Sequence, residues 1–349
     1  MIAMTLDNPC LKAVCLHYVG SKNNLDTLHI TAHPLELDKE SIQLLQDGFL
    51  HKFKTIPEQY SFHHTDSLQF NEVYTYCSQL FKDATQLPDI SAAIARHLYE
   101  ASTHPKVKGG EFYVAYFDGL PMENRMYKAI GLFKTENKSI FLDATRQSDG
   151  FELDMKEGVE LSKIDKGCLI INSKEEDGYD VMIFDNQNRG EEAQYWKETF
   201  LGLTPQQNEF HHTSHFLTLT KQFITEQLDT ELKIPKTEQV ELLNKSIDYF
   251  KSKEAFDIEE FQNEVFSNDE LIGSFRNFGS RYIESSDFDI ASSFEISPEA
   301  VKKQSRIFKS VVKLDKNFHI YIHGRTDLIE KGVEMDGRKF YKIYYQDEA

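Results

Sequence analysis

From Glu111 to Asp185 the chain is a run of short segments rich in β-branched and aromatic residues: EFYVAYFDGL, MYKAIGLFKT, SIFLDAT, GCLIIN and YDVMIFD. Gly, Asn and Asp turns separate them. Such segments fit a pleated, half-buried surface, and hairpin-length links join antiparallel neighbours. Parallel neighbours need crossovers of a dozen or more residues, which these links cannot supply. The stretch therefore predicts a meandering antiparallel sheet, with a favoured turn pair at Asp177-Gly178 inside SKEEDGYD.

Around this sheet the texture is helical. Leu11–Val19 reads as a strand with Leu25–Ile30 as its hairpin partner. Lys39–Lys54, Phe70–Ala84 and Asp89–Ser102 carry apolar residues at helical spacing. Beyond the sheet, EEAQYWKETFLGL returns to that spacing, and His211–Leu228, Thr237–Lys251, Asp257–Phe266 and Asp269–Ile283 continue it, with a break at Pro235. Ser297 is placed to cap a further helix, with Pro298 at its first position and Glu299 facing its positive end. Its apolar stripe is Ala300, Val301, Ile307, Phe308, Val311 and Val312. Two strands, Phe318–His323 and Lys339–Tyr345, follow. The expected class is α+β: an antiparallel meander with flanking helices, a helical middle subdomain, and a C-terminal helix plus β-hairpin. The expected domains are 1–205, 206–284 and 285–349.

Charge is unevenly spread. The formal net charge is -18. Yet Val301 to Tyr345 holds eleven Lys or Arg against five Asp or Glu, a net of +6, which leaves 28 basic and 52 acidic residues elsewhere. Screening at cellular salt acts over about 8 Å, so a local basic patch can meet phosphates despite a distant negative field. Lys302, Arg306, Lys309 and Lys313 fall at helical offsets and are expected to form a basic stripe. In the strands, Phe318, Ile320 and Ile322 are expected to face inward and His319, Tyr321 and His323 outward. If Tyr341, Ile343 and Tyr345 face inward, then Phe340, Lys342 and Tyr344 face out. The candidate contacts to nucleic acid are Lys302, Lys303, Arg306, Lys309, Lys313, Arg325, Arg338 and Lys342. The other reading of these residues is a solvated charged face and an aromatic surface packed on another domain.

Nothing in the sequence names a reaction. GxxxxGK[ST], GxGxxG and GxSxG patterns do not occur. In HHTSH, His211 and His215 would share a helix face, but His212 stands where a zinc protease has its glutamate. Polar histidines at the start of a helix account for the string. Asp287 and Asp289 in DFDIASSFE read as a solvated loop. The expected cofactor and metal content is none. The four cysteines are scattered, and no signal-peptide pattern or apolar run of roughly 20 residues is visible, which fits a reducing cytoplasm.

Three regions carry a family likeness. They are the sheet around FYVAYFDGL and SKIDKGCLIIN, the segment YWKETFLGLTPQQNEFHHTSHFLTLTKQFI, and the tail from SSFEISPEAVKKQSRIFKSVVKLDKNFHIYIHG to GRKFYKIYY. Over nearly its full length the chain resembles the bacterial nucleoid-associated protein family that includes the 37-kDa nucleoid protein, departing from better-known members in several loops as a divergent member would. The resemblance implies a cytoplasmic protein at the nucleoid, able to bind DNA or DNA-bound enzymes such as type II topoisomerases, and it supplies no catalytic residues. The basic contacts named above come from charge and periodicity. Two alternatives stay open: an adaptor whose acidic body docks on a basic partner, and a metal-dependent hydrolase centred on His211 and His215. A homodimer is the common default for such chains.

Overall fold

The computed structural model describes residues 10–122, 125–186, 195–285, 290–305, 308, 311–314, 318–321 and 328–347, without the side chains of 229, 284, 285 and 311–313. The chain divides into two compact units, Met1–Gln206 and Gln207–Ala349.

The first unit is built on an antiparallel sheet. Its strands in chain order are β1 (Leu11–Val19), β2 (Leu28–His29), β3 (Tyr60–Phe62), β4 (Gly110–Met122) and β5 (Arg125–Thr135). After a detour through β6 (Ser139–Gln147) and β7 (Gly150–Gly158) come β8 (Lys166–Ile171), β9 (Asp180–Asp185) and β10 (Leu203–Pro205). Eight of them form one sheet in the order β10-β3-β9-β8-β5-β4-β1-β2. The expected antiparallel meander is present, with one difference. β6 and β7 pair only with each other, and β5 pairs directly with β8 through Ala129↔Ile171 to Lys134↔Lys166. SIFLDAT is therefore not a member of the main sheet.

Both faces of the sheet are covered, which is why its strands read as nearly continuous apolar runs. Phe112, Val114 and Tyr116 of β4 face a core shared with α2 (Glu72–Lys82) and α3 (Leu87–Ala101). Tyr113, Ala115 and Phe117, one residue out of step, face Phe49 and Leu50 of α1 (Lys39–Leu50) and the following Phe53. All four cysteines are buried and unpaired. At the β8–β9 turn Gly178 has φ +89, and a Cβ there would collide with the backbone of Phe62, so only glycine serves.

One end of the sheet holds charges out of water. Lys134 and Lys166 are register partners with fully buried side chains. Glu136 lies 3.2 Å from Lys134 and 3.4 Å from Lys166, and Asp185 lies 3.3 Å from Lys166. Lys134 Nζ also donates to the Lys108 carbonyl at 2.8 Å, and burial pushes its pKa below the usual lysine value. Asp165, itself buried, accepts the backbone N–H groups of Glu136 and Asn137 and the Asn137 side-chain amide. Removing one member of such a network leaves its partner uncompensated in low dielectric.

The second unit packs α4 (Glu209–Gln222), α5 (Lys236–Ser252), α6 (Ile258–Val265), α7 (Asp269–Ser285) and α8 (Pro298–Ser305) around an aromatic core that includes Phe216, Phe250, Phe256, Phe261 and Phe275. Ile296, Val301 and Phe308 belong to the same core. β11 (Ala255–Asp257) pairs with β12 (Ser293–Glu295). The terminal strands are β13 (Val311–Leu314), β14 (Phe318–Tyr321), β15 (Ile329–Val333) and β16 (Lys339–Ile343). They form two hairpins, β13–β14 and β15–β16. The sequence predicts only two strands here; the structure adds Val311–Leu314 and Ile329–Val333.

Candidate nucleic-acid interface

The site begins at α8. Ser297 Oγ accepts the Ala300 N–H at 3.3 Å, Pro298 occupies the first turn, and Glu299 faces the helix N-terminus. The helix is held to α4 by two bonds: Ser297 N–H donates to Thr213 Oγ1 at 3.1 Å, and Gln304 Nε2 donates to the Ser214 carbonyl at 3.4 Å. Ala300 and Val301 are buried, so the opposite side of the helix carries Lys302 and Lys303, both exposed. Lys303 Nζ lies 5.4 Å from the centroid of the Phe210 ring.

Lys302 lines an open groove of about 650 Å³ together with Lys251, Lys253 and Ser305, over a floor that includes Phe250 and Val301. Lys251 and Lys253 fall outside the basic C-terminal window that the charge count singles out, although two lysines flanking the end of a helix are a recognisable signal. Their charge is partly spoken for. Lys253 lies 2.7 Å from Glu260 and 3.0 Å from Glu264, which hold it above the usual lysine range, and Lys251 lies 3.5 Å from Asp248.

The expected helical stripe does not extend as far as Lys313. α8 ends at Ser305, and Val311–Leu314 is a strand that pairs Lys313 with His319. Two adjacent β-branched residues, Val311 and Val312, favour the pleated strand over the helix. Arg306, Lys309 and Arg325 lie outside the described residues, as does the side chain of Lys313. Asp287, Asp289, Ile322 and His323 also lie outside them.

The terminal hairpins sort their side chains by strand alternation. Leu314, Ile320, Ile329 and Tyr341 pack around Val240 on α5. His319 and Tyr321 lie on the other face of β14 and are exposed, as expected. Phe340, Lys342 and Tyr344 are likewise exposed. Phe318, expected inward, is 63% exposed, and Ile343 and Tyr345 are 48% and 70% exposed. The expected pairing of the His319 strand with the Lys342 strand does not occur; each instead pairs with its own neighbour.

Two cations of the last hairpin have carboxylate neighbours. Arg338 Nε donates to Asp336 Oδ2 at 2.6 Å, and Lys342 lies 3.8 Å from Glu330. Lys342 Nζ also sits 4.7 Å from the Tyr344 ring centroid, and Tyr344 with Glu330 holds the ammonium above its usual range. Both pairs are exposed, and such pairs are weak enough to yield to a phosphate.

His211 and His215 do share a face of α4, with ring centroids 4.1 Å apart. Asn208 caps this helix by accepting the His211 N–H at 3.0 Å, and His212 stacks on Phe294 at 5.5 Å. Burial, then His215 and His212, lower the His211 pKa to about 4. Among the described residues no three His, Cys, Asp or Glu side chains are grouped to hold a metal ion, and no helix is long and apolar enough to cross a membrane.

No curated protein matches the chain. A family model does: the one described as nucleoid-associated protein YejK, NA37, matches residues 15–337, which span the sheet of the first unit, the helices of the second and most of the terminal hairpins. By that match, the chain belongs to the YejK family of nucleoid-associated proteins, and its general role is at the nucleoid.

Proposed function

We propose that this chain is a non-enzymatic nucleoid-associated protein that binds DNA with little sequence preference through its C-terminal module, in the cytoplasm at the nucleoid and in company with DNA-bound enzymes such as type II topoisomerases. The contacts are Lys302, Lys303, Arg306, Lys309, Lys313, Arg325, Arg338 and Lys342. The observation that carries this reading is the sorting of the terminal hairpins. Apolar residues turn to Val240, while His319, Tyr321, Phe340, Lys342 and Tyr344 stay exposed. Lysines neutralise phosphates with counterion release, and exposed rings stack on unpaired bases.

The test is salt-titrated binding to double- and single-stranded DNA. Because Val301 and Phe308 belong to the core of the second unit, charge reversal is a cleaner probe than truncation. In a Lys302→Glu, Lys303→Glu, Lys342→Glu variant the slope of log affinity against log salt should flatten by about one for each phosphate no longer neutralised. Wild-type affinity in that variant, or binding indifferent to salt, would overturn the reading.

A second reading has one observation in its favour. Between Ile329 and Ile343 four cations face three carboxylates, so that hairpin is close to neutral. An adaptor whose acidic body docks on a basic protein needs no more than this. Capture of such a partner that survives nuclease treatment supports the adaptor.

A further inference from the structure

The β6–β7 ribbon stands off the main sheet, and its register divides it into two unlike faces. Ile140, Leu142 and Ala144 of β6 share a face with Phe151, Leu153 and Met155 of β7. The opposite face carries Asp143, Thr145, Glu152, Asp154 and Lys156, with Lys156 paired to Asp143. It is the polar face that looks finished: the Phe141 ring there lies against Gly158, where a Cβ would come within 2.8 Å of it. Among the described residues nothing covers the apolar face. Ile140, Leu142, Phe151, Leu153 and Met155 are 63–74% exposed.

A free two-stranded ribbon is marginal in water, and this one is nevertheless firmly rooted. Its first strand leaves the buried charge network at Glu136 and Asn137, both held by Asp165, and Ser139 Oγ donates to Glu160 at its base. A rigid root fixes where the face points and lowers the ordering cost of covering it.

We infer that the apolar face of Ser139–Gly158 is covered by the same ribbon of a second copy, stacked face to face about a two-fold axis that runs across the strands. Three observations favour a second copy over another partner. The first is area: five large side chains of roughly 150–200 Å², about two-thirds exposed, leave on the order of 500–600 Å² per copy, and a stable interface buries about 800 Å² per partner once its rim is counted. The second is charge. The only ionised residues on this face are Glu157 at the base rung, opposite Ile140, and Arg146 at the tip rung, opposite Phe151. Antiparallel stacking lays the tip of one ribbon on the base of the other, so with sheets about 10 Å apart Arg146 of each copy comes within side-chain reach of Glu157 of its mate. The third is stoichiometry: a face exposed on every chain is fully covered only by a partner as abundant as the chain itself. The resulting dimer carries two C-terminal modules, which raises avidity for any polymer they bind.

The test is sedimentation velocity of the full chain over a concentration series. The wild type should run as a dimer at micromolar concentration, and Leu142→Asp with Met155→Asp should run as a monomer with an unchanged far-ultraviolet spectrum. Arg146→Glu and Glu157→Arg, at exposed positions outside the apolar set, should each weaken the dimer about tenfold, the scale of two exposed ion pairs made repulsive. The double reversal should restore it. A wild type monomeric up to about 100 µM, well above the Kd of a standard interface, would overturn the proposal in favour of a different partner. A dimer indifferent to Leu142→Asp/Met155→Asp, or single reversals not rescued by the double, would equally overturn it.

Discussion

The β6–β7 ribbon and the terminal hairpins are the same local object, two antiparallel strands with one apolar face, and they meet different ends. β13–β14 and β15–β16 turn Leu314, Ile320, Ile329 and Tyr341 onto Val240 and present rings and cations outward. The β6–β7 ribbon pairs only with itself and, among the described residues, presents its apolar side chains uncovered. Charge differs too. The pairs Arg338–Asp336 and Lys342–Glu330 are exposed, whereas the network at the root of the ribbon is buried. Alternation alone thus does not tell which face of a ribbon stays exposed; the element packed below it does.

The largest test of this contrast is in the charges. Lys166→Ala takes the buried lysine from Asp185 and leaves Glu136 with Lys134 alone of its two, and urea unfolding should register a loss of about 3–5 kcal/mol. Lys342→Ala, in an exposed pair, should leave the urea midpoint essentially unchanged. Equal losses would break the comparison. Next comes DNA affinity at low salt. Reversing Lys302, Lys303 and Lys342 together should lower it on the order of 100-fold, read by fluorescence anisotropy, since three attractions to phosphate become three repulsions.

A smaller effect is expected from pH. His17 is buried, with Nε2 3.0 Å from Ser91 Oγ and Nδ1 accepting the Thr31 N–H at 3.2 Å, a pattern that suits the neutral ring. Burial first, then Arg96 and His29, lower its pKa to about 4. Between about 4 and the ordinary 6.5 the unfolded chain binds the extra proton, so this contribution to stability is full above 6.5 and is lost as pH falls toward 4. His211 in the second unit behaves alike. His17→Gln should shrink the difference between urea midpoints at pH 7 and pH 5; an unchanged difference counts against the buried neutral ring. The smallest effect should come from Glu330→Gln with Asp336→Asn. Freeing Lys342 and Arg338 should raise DNA affinity at most a few-fold, because exposed pairs are weak. No gain would favour the adaptor.

Much of the fold was legible in the chain. The strand at Leu11–Val19, the three helices of the first unit, the Asp177-Gly178 turn and the Ser297 cap follow from spacing and local chemistry. The short strands Tyr60–Phe62 and Leu203–Pro205 did not, because three residues carry too little periodicity and are recruited by the strand they join. Of the candidate interface, exposure of Lys302, Lys303, Arg338 and Lys342 could be anticipated, but the carboxylates beside the last two could not be told from other acidic neighbours. Nothing local marks Lys134 and Lys166 for burial; it follows from the pairing of β5 with β8.

The residue order settled what depends on neighbours a few positions apart: where helices start, which segments pleat, where glycine must turn the chain, and how lopsided the charge is. Only the tertiary structure decided that β5 bypasses the ribbon to pair with β8, that the last helix yields to a strand at Val311, and which apolar faces find cover. Those outcomes turn on contacts between residues distant in the chain, where burial and charge desolvation outweigh local preference.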